Sequence, residues 1–283
     1  MLTIFPIAEG VSIKAEPLIG SVDWLTNSIF VSIIVTGIIL FLARRATANM
    51  KLVPDSGGQN LFEALVEGLY DMLEGIVGKH MITRTFSLLA TIFIFILASN
   101  WFGLLPGVGS VGFGKITGPL RSISEIDHPL LRPVNADLNM TLGMAAVFML
   151  CWIYWTFTET GPVQFFKHTF LPKGGVTGVL KYIMFPIFLF VGVIELISIA
   201  FRPVSLSLRL FGNIFAGENL MHAMSSMGDS LPAPFALALS VLLPLPFYFL
   251  EILVGLIQAI VFMLLCAVYI QLSTSHEEEE HAH

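Results

Sequence analysis

Ionisable and amide side chains stand within the long apolar stretches of the last hundred residues of the chain. They are Glu195, Arg202, Arg209, Asn213, Glu218, Glu251 and Gln258. An arginine at the centre of a membrane-spanning helix costs about 2.5–3.5 kcal/mol on insertion scales, so charged residues in such segments usually serve a function. The spacing of these residues therefore bears on the chemistry that they could carry out.

The first stretch carries a cation between two carboxylates. Glu195, Arg202 and Arg209 are seven residues apart, so they lie close to one face of a helix. Glu218 lies about half a turn round from Arg209 and roughly 13 Å further along the helix axis. Glu195 lies roughly 21 Å from Arg209 in the other direction. The sequence thus places acidic side chains towards both ends of one helix, with Arg209 between them.

This arrangement suits proton transfer by two separate routes. Carboxylates can relay protons, whereas an arginine side chain effectively never releases its own. A guanidinium between two acidic half-paths would stop a proton from running straight through. It would also favour proton release from any carboxylate that approaches it. Glu251 and Gln258, again seven residues apart, add a single polar stripe in the second stretch.

Each of these residues also has a purely structural interpretation. The charged side chains could form ion pairs that hold packed helices together. Asn213 and Gln258 could form hydrogen bonds between helices. We favour the structural interpretation for Arg202, which lies near an edge of the stretch, and the functional one for Arg209, which lies deep within it.

Two apolar stretches, 182–224 and 232–272, must position these residues. As a helix, each would be roughly 60 Å long, whereas the hydrocarbon core of a bilayer is about 30 Å thick. Either each stretch contains two spans, or each is one long and steeply tilted helix. Four prolines could bend them: Pro186, Pro203, Pro244 and Pro246. We favour two tilted helices that form a hairpin through a turn at Gly228, Asp229 and Ser230.

The rest of the chain predicts further membrane spans and one surface helix. Of the 283 residues of the whole chain, 55% are hydrophobic and 12% are charged, and the mean hydropathy is +0.84. These values are typical of a membrane protein. Spans are predicted at 28–43, 84–105 and 138–158. An amphipathic helix is predicted at 60–79, where Asn60 and Glu63 resemble a capping box. We therefore expect an all-α polytopic membrane protein with about five crossing helices and one amphipathic surface helix.

The predicted organisation is a single integral membrane domain over residues 1–283. Its parts are an extracytoplasmic segment (1–27), the first three spans with the amphipathic helix (28–160), an ion-translocating helical hairpin (182–272) and an acidic tail (273–283). Polar loops are expected at 106–137 and 159–181.

Basic residues predict the orientation, because they are concentrated on the cytoplasmic side of membrane proteins. With the N-terminus outside and five crossings, most of them fall inside: Arg44, Arg45, Lys51, Lys79, Arg84, Lys167, Lys173 and Lys181. Only Lys14, Lys115, Arg121 and Arg132 fall outside. The C-terminal tail is then cytoplasmic.

Signals for other chemistries are weak. Gly107, Gly109 and Gly112 have the spacing of a dinucleotide-binding loop, but no predicted strand precedes them. The sequence contains no Walker A motif, no His-Glu-x-x-His pair and no Gly-x-Ser-x-Gly elbow. Cys151 and Cys266 stand in apolar segments and are expected to be buried thiols. We therefore predict no catalytic residue, no metal site, no cofactor and no nucleic-acid partner.

Two segments resemble subunit a of the F-type ATP synthases. Residues 203–213 (PVSLSLRLFGN), followed by Ala-Gly-Glu at 216–218, resemble the most diagnostic segment of that family. Residues 256–262 (LIQAIVF) resemble its last-helix motif. Weaker matches lie at 59–60 and 135–139. The resemblance covers nearly the whole chain, and it also implies a hairpin of tilted helices.

The resemblance implies a role for each polar residue of the hairpin. Arg209 would be the essential stator arginine that faces the carboxylates of a rotating c-ring. Glu195 would border the exit towards the cytoplasm. The half-channel open to the periplasmic side would be lined by Asn213, Glu218, Glu251 and Gln258.

Glutamate stands at two positions where some members of the family carry one histidine. These positions are 218 and 251, so a histidine relay is not available to this pair. We hypothesise that the two nearby acids share a proton.

The resemblance also implies partners and a location. The partners would be the c-ring of small two-helix subunits, the peripheral-stalk b subunits, the rest of the ATP synthase and the lipid bilayer. The chain would lie in a bacterial plasma membrane and would be a non-catalytic subunit, since ATP chemistry occurs on other subunits.

Two other classes of protein remain as alternatives. A secondary transporter also uses buried acidic and basic residues, but such folds often contain internal repeats, and this sequence shows none. An intramembrane enzyme would need a nucleophile with a base, or metal ligands. A stator subunit should co-purify with a ring of small proteins, whereas a transporter should work alone.

Overall fold

A computed structural model describes residues 17, 25–48, 50–51, 57–105, 108, 112–113, 128–129, 131–170, 179–227 and 233–274. Most of these residues are helical. A short antiparallel ladder pairs β1 (Gly112–Phe113) with β2 (His128–Pro129). The predicted turn at 228–230, the acidic tail beyond 274 and most of the segment 1–27 lie outside the described residues, as do Gly107 and Gly109.

Eight helices account for most of the described chain. They are α1 (Asn27–Thr47), α2 (Gly57–Val77), α3 (Lys79–Gly103), α4 (Leu138–Glu159), α5 (Pro162–Phe170), α6 (Val179–Ser226), α7 (Ala233–Leu242) and α8 (Pro244–Thr274). Five helical segments, in α1, α3, α4, α6 and α7–α8, are long and apolar enough to cross a membrane. The prediction of an all-α polytopic membrane protein with about five crossing helices is therefore confirmed.

The first helix has polar groups at both ends that suit a membrane span. The side chain of Thr26 accepts a hydrogen bond from the backbone N–H of Ile29 and so caps the first turn of α1. Arg44 and Arg45 occupy its last turn, where cations stabilise the negative end of the helix dipole. The helix continues through both arginines and ends at Thr47, four residues beyond the predicted end at 43.

The amphipathic helix α2 begins earlier than predicted. It starts at Gly57, so Asn60 lies within the helix and is not its cap, and that prediction was wrong. Gln59 makes the local contacts instead: its Nε2 donates to the carboxylate of Glu63 at 2.7 Å and to the backbone carbonyl of Lys51 at 2.8 Å. One face of α2 is buried, at Leu69, Leu73 and Val77. The opposite face is solvent-accessible.

A helix that the sequence did not predict lies in the expected loop at 159–181. Gly161 adopts a positive φ of 77° after the end of α4, a conformation that favours glycine. Pro162 then begins α5, a position where its missing N–H costs little. Phe170 at the end of α5 contacts α6 at Gly192, where an added Cβ would lie 2.6 Å from the Phe170 ring.

The helix α6 confirms the prediction that the first apolar stretch of the hairpin forms one long helix. Its 48 residues correspond to roughly 72 Å, so it must tilt steeply to lie within a hydrocarbon core of about 30 Å. Pro186 and Pro203 stand inside it without ending it.

The second predicted long helix is interrupted at Leu243. Pro244 has no backbone N–H to continue the hydrogen-bond ladder and restricts the residue before it. The chain therefore forms α7, a one-residue interruption at Leu243 and α8, so the second predicted long helix is divided at one of the four prolines that could bend the two stretches. Both α7 and α8 pack against α6.

The buried core lies where α3, α4, α6 and α8 meet. Its largest fully buried side chains include Leu89, Ile96, Phe148, Leu206, Leu210, Phe262, Met263 and Ile270. Hydrogen bonds between helices supplement this packing: Trp152 Nε1 on α4 donates to the carbonyl of Tyr269 on α8 at 2.9 Å. The core fixes α6 against α8, and these two helices carry the polar residues predicted to be functional.

Candidate functional site

Asn213 and Gln258 link the two long helices directly. The side-chain Nδ2 of Asn213 on α6 donates to Oε1 of Gln258 on α8 at 2.8 Å. Gln258 is 4% exposed whereas Asn213 is exposed, so this hydrogen bond lies at the edge of the contact between the helices. The structure brings together two residues that the sequence placed on separate polar stripes.

Glu251 approaches α6 at its glycine. The side chain of Glu251 is buried, and its carboxyl group lies against Gly217, where a Cβ atom would collide with it. Glu218 is the next residue on α6. Only a glycine at 217 leaves room for a carboxyl group from α8 at this point, so Glu251 reaches α6 one residue before Glu218.

Glu218 is half-buried and incompletely paired. Its Oε2 atom is inaccessible to solvent and has no hydrogen-bond partner in the part of the chain that the structure describes. Glu218 also interacts electrostatically with Arg132. An unpartnered buried carboxyl oxygen is costly unless the group can bind a proton or a polar ligand. This is the state expected of a proton-relay carboxyl group.

Arg132 is a buried cation that sequence reasoning placed in a polar loop. It is 3% exposed, and its Nη2 donates to the carbonyl of Ala136 at 3.0 Å. It precedes the 3₁₀ turn Val134–Ala136, which packs against α6. The sequence signal for its burial was its position between the apolar residues Leu131 and Pro133, six residues before the predicted span at 138–158.

A second polar cluster joins α3 to α8. Asn135 donates to Oδ1 of Asn100 at 2.7 Å, and Asn100 donates to the carbonyl of Gly255 at 3.0 Å. Asn135 is fully buried and Asn100 is 4% exposed. Sequence reasoning noted Asn135 but missed Asn100, although Ser99 and Asn100 are the first polar pair after a long apolar run. This cluster fixes α8 one turn away from Glu251.

Arg209 faces away from the core. Its neighbours Leu206, Ser207 and Leu210 are buried, while Arg209 itself is exposed. No hydrogen bond or ion pair to Arg209 occurs among the described residues. Leu208 beside it is 49% exposed, and Ser205 and Asn213, one turn away on either side, are exposed as well. The structure therefore places this cation on an outer face of α6.

Glu195 and Arg202 lie apart from the α6–α8 cluster, nearer the start of α6. Glu195 is half-buried. Arg202 was interpreted as a helix-packing ion pair, and the structure adds two aromatic contacts: its guanidinium lies over the rings of Trp152 and Tyr269. The structure thus separates the predicted residues into one cluster on each side of Arg209.

The two cysteines carry no disulfide. Cys266 is buried and Cys151 is half-buried, and both are free thiols. Among the described residues there is also no cluster of histidine, cysteine and acidic side chains that could hold a metal ion.

The fold and the site define a polytopic helical membrane protein with a polar seam between its two long helices. A family model described as the ATP synthase A chain matches residues 28–271. The chain is 32% identical to ATP synthase subunit a of Aliarcobacter butzleri and 33% identical to that of Trichlorobacter lovleyi, with 92% of both chains covered in each case. It is 34% identical to ATP synthase subunit a 3 of Pelobacter propionicus, with 84% of this chain and 83% of the relative covered. The chain belongs to the ATP synthase A chain family.

Proposed function

We propose that the chain is the membrane stator subunit of an F-type ATP synthase and provides two offset half-channels for protons. Protons would pass through these half-channels to and from the carboxylates of a c-ring. The flow of ions would thereby drive rotation, and ATP synthesis would follow on other subunits. The chain itself would carry out no covalent chemistry.

The exposure of Arg209, which has no hydrogen bond or ion pair among the described residues, is the observation that carries this proposal. A guanidinium on an outer face of a membrane helix is costly if it meets only lipid. A carboxylate on a neighbouring protein would relieve that cost and would be held in its ionised form. A ring of small subunits, each with one carboxylate, supplies such a partner repeatedly as it turns. Arg209 would then bind each incoming carboxylate and separate the two routes.

The seam between α6 and α8 would form the half-channel on the periplasmic side. It contains the Asn213–Gln258 hydrogen bond and the carboxyl group of Glu251 against Gly217. Glu218 adds a buried oxygen without a hydrogen-bond partner among the described residues. These groups can pass a proton between carboxyl groups and bridging water.

Glu195 would border the second half-channel, towards the cytoplasm. It lies fourteen residues before Arg209 on α6, roughly 21 Å along the axis. A ring carboxylate that has met Arg209 from the other side would lose its proton towards Glu195. Each elementary charge that crosses the membrane supplies about 2.3 kcal/mol per 100 mV, and this work would turn the ring.

The contacts between helix ends support five crossings with the N-terminus outside. Arg84 at the start of α3 pairs with Glu159 at the end of α4. Thr160, just after α4, donates to the carbonyl of Ser273 near the end of α8 at 3.4 Å. The start of α3 and the ends of α4 and α8 therefore share one side, which the basic residues at 79 and 84 mark as cytoplasmic.

The proposed partners are the c-ring, the peripheral-stalk b subunits and the surrounding bilayer. The proposed location is a bacterial plasma membrane, and the bacterial relatives support it. In this membrane the exposed face of α6 around Arg209 would contact the ring.

ATP-driven proton uptake into inverted vesicles that contain the assembled complex tests the proposal. Arg209→Ala should abolish uptake while the complex still assembles, because the ring would lose its fixed counter-charge. Ser205→Ala is the matched control, since Ser205 is exposed one turn away on the same helix and carries no charge. Normal uptake with Arg209→Ala would overturn the proposal and favour a transporter.

A further inference from the structure

Arg202 is held between aromatic rings of two other helices. Its guanidinium carbon lies 4.6 Å from the ring centroid of Tyr269 on α8 and 5.5 Å from that of Trp152 on α4. Both distances are within the range of a cation–π interaction. The rings themselves are tied together, because Trp152 Nε1 donates to the carbonyl of Tyr269 at 2.9 Å.

This arrangement keeps a charge in a place where charge is costly. Arg202 is half-buried and Trp152 is 3% exposed. The negative faces of the two rings compensate the guanidinium for part of the water that it loses. A hydrocarbon side chain would pack there without this cost, so packing alone does not explain an arginine at this position. The rings limit the positions that the charge can adopt.

The charge shares a face of α6 with the acid of the proposed exit route. Side chains of an α-helix lean towards its N-terminus, and residues seven apart share a face. Arg202 therefore leans towards Glu195, which lies two turns nearer the N-terminus of α6, and the two groups interact electrostatically. Tyr269 also faces the guanidinium. Arg209 stands seven residues beyond Arg202 on α6.

We infer that Arg202 is a positioning residue for the exit route: the rings of Trp152 and Tyr269 hold its charge where it attracts the side chain of Glu195 and orients that side chain along the route. This inference rests on the proposed function, because it takes Glu195 as the proton acceptor beyond Arg209. An ionised Glu195 can accept the proton that a ring carboxylate releases and pass it to cytoplasmic water. Arg202 acts through Glu195 and contacts neither the c-ring nor the transferred proton.

The test compares variants of Arg202 with and without the acid. Initial rates of ATP-driven proton uptake are measured for Arg202→Gln and Arg202→Lys, in the parent chain and in a Glu195→Gln background. Arg202→Gln should lower the rate about two- to fivefold, the factor that corresponds to a partly exposed pair of charges. Arg202→Lys should restore most of the rate because lysine keeps the charge. In the Glu195→Gln background, Arg202→Gln should cause no further loss.

Several outcomes would overturn the inference. One is a parental rate with Arg202→Gln, and another is an equal loss with lysine and glutamine. A third is the same fold loss with and without Glu195, which indicates packing alone. If Arg202→Gln prevents assembly, or Glu195→Gln alone abolishes uptake, the contrast between Tyr269→Leu and Tyr269→Phe decides. Tyr269→Leu removes the aromatic side chain and should slow uptake in the intact complex, whereas Tyr269→Phe keeps an aromatic side chain and should not. Equal rates for these two variants would contradict the inference.

Arg209→Ala in the same vesicles separates this inference from the proposed function. Normal uptake with Arg209→Ala would overturn the proposed function itself. A block with Arg209→Ala, combined with equal effects of Arg202→Gln in both backgrounds, would overturn only the role of Arg202.

Discussion

Gly217 is the point at which α6 has no side chain opposite the carboxyl group of Glu251. Gly217→Ala should impair proton uptake, because the new Cβ would collide with that carboxyl group and overpacking of this kind costs roughly 1–3 kcal/mol. The measurement is ATP-driven uptake normalised to assembled complex. Gly143→Ala on α4 is the control, since nothing lies within 4 Å of its Cβ position.

A compensating change sharpens the Gly217 prediction. Adding Glu251→Asp to Gly217→Ala shortens the opposing side chain by one methylene group and should recover part of the uptake. If Gly217→Ala pumped like Gly143→Ala, the close approach of Glu251 to α6 would be wrong.

Glu251 reaches α6 at Gly217, the residue before Glu218, and we hypothesise that the two acids share a proton. Glu251→Gln should move the alkaline limb of the pH profile of uptake to lower pH, because a lone carboxyl group holds a proton less tightly than a pair that shares one. Glu67→Gln, on the exposed face of α2, should leave the profile unchanged. An identical profile for Glu251→Gln and the parent would end the hypothesis.

Much of the site at the scale of residues followed from the cost of polar groups in apolar helices. That cost singled out Asn213 and Gln258, and the structure joins them by a hydrogen bond. Spacing along one helix does not reveal contacts with other helices, so the aromatic rings around Arg202 and the burial of Arg132 were not predicted. The room for Glu251 at Gly217 likewise depends on the distance between α6 and α8.

The Asn135–Asn100–Gly255 cluster should stabilise the packing of α8 on α3. Asn100→Leu would leave the buried side chain of Asn135 and the carbonyl of Gly255 without these partners. Each unsatisfied buried group costs about 1–3 kcal/mol, so the midpoint of thermal unfolding in detergent should fall. Thr91→Val is the control, because exposed Thr91 bonds only to Ser87 of its own helix. Equal midpoints for the two variants would contradict this role.

At the scale of elements, hydropathy and length predicted the spans, while local chemistry decided their ends. The five apolar segments followed from the need to match a bilayer of about 30 Å. The break at Leu243 and the start of α5 at Pro162 depend on single prolines. A proline can bend, end or begin a helix, and Pro186 and Pro203 stand within α6 with no break. The tertiary contacts that decide among these outcomes are not visible in the sequence.

At the scale of the whole molecule, the fold presents one face of α6 to a partner. The core formed with α3, α4 and α8 buries Leu206, Ser207 and Leu210. The same packing leaves Ser205, Leu208 and Arg209 on the outside. The rotor is therefore expected on this side of the molecule.

Disulfide cross-linking to the ring tests this central claim most directly. Ser205→Cys and Ser207→Cys are each introduced into a chain with Cys151 and Cys266 replaced, and are paired with a cysteine beside the ring carboxylate. The two changes are chemically identical, but Ser205 is exposed and Ser207 is 1% exposed. A cross-link to the ring through position 205 and none through 207 is the predicted result. A cross-link through 207, or none through 205 in an intact complex, would contradict the account.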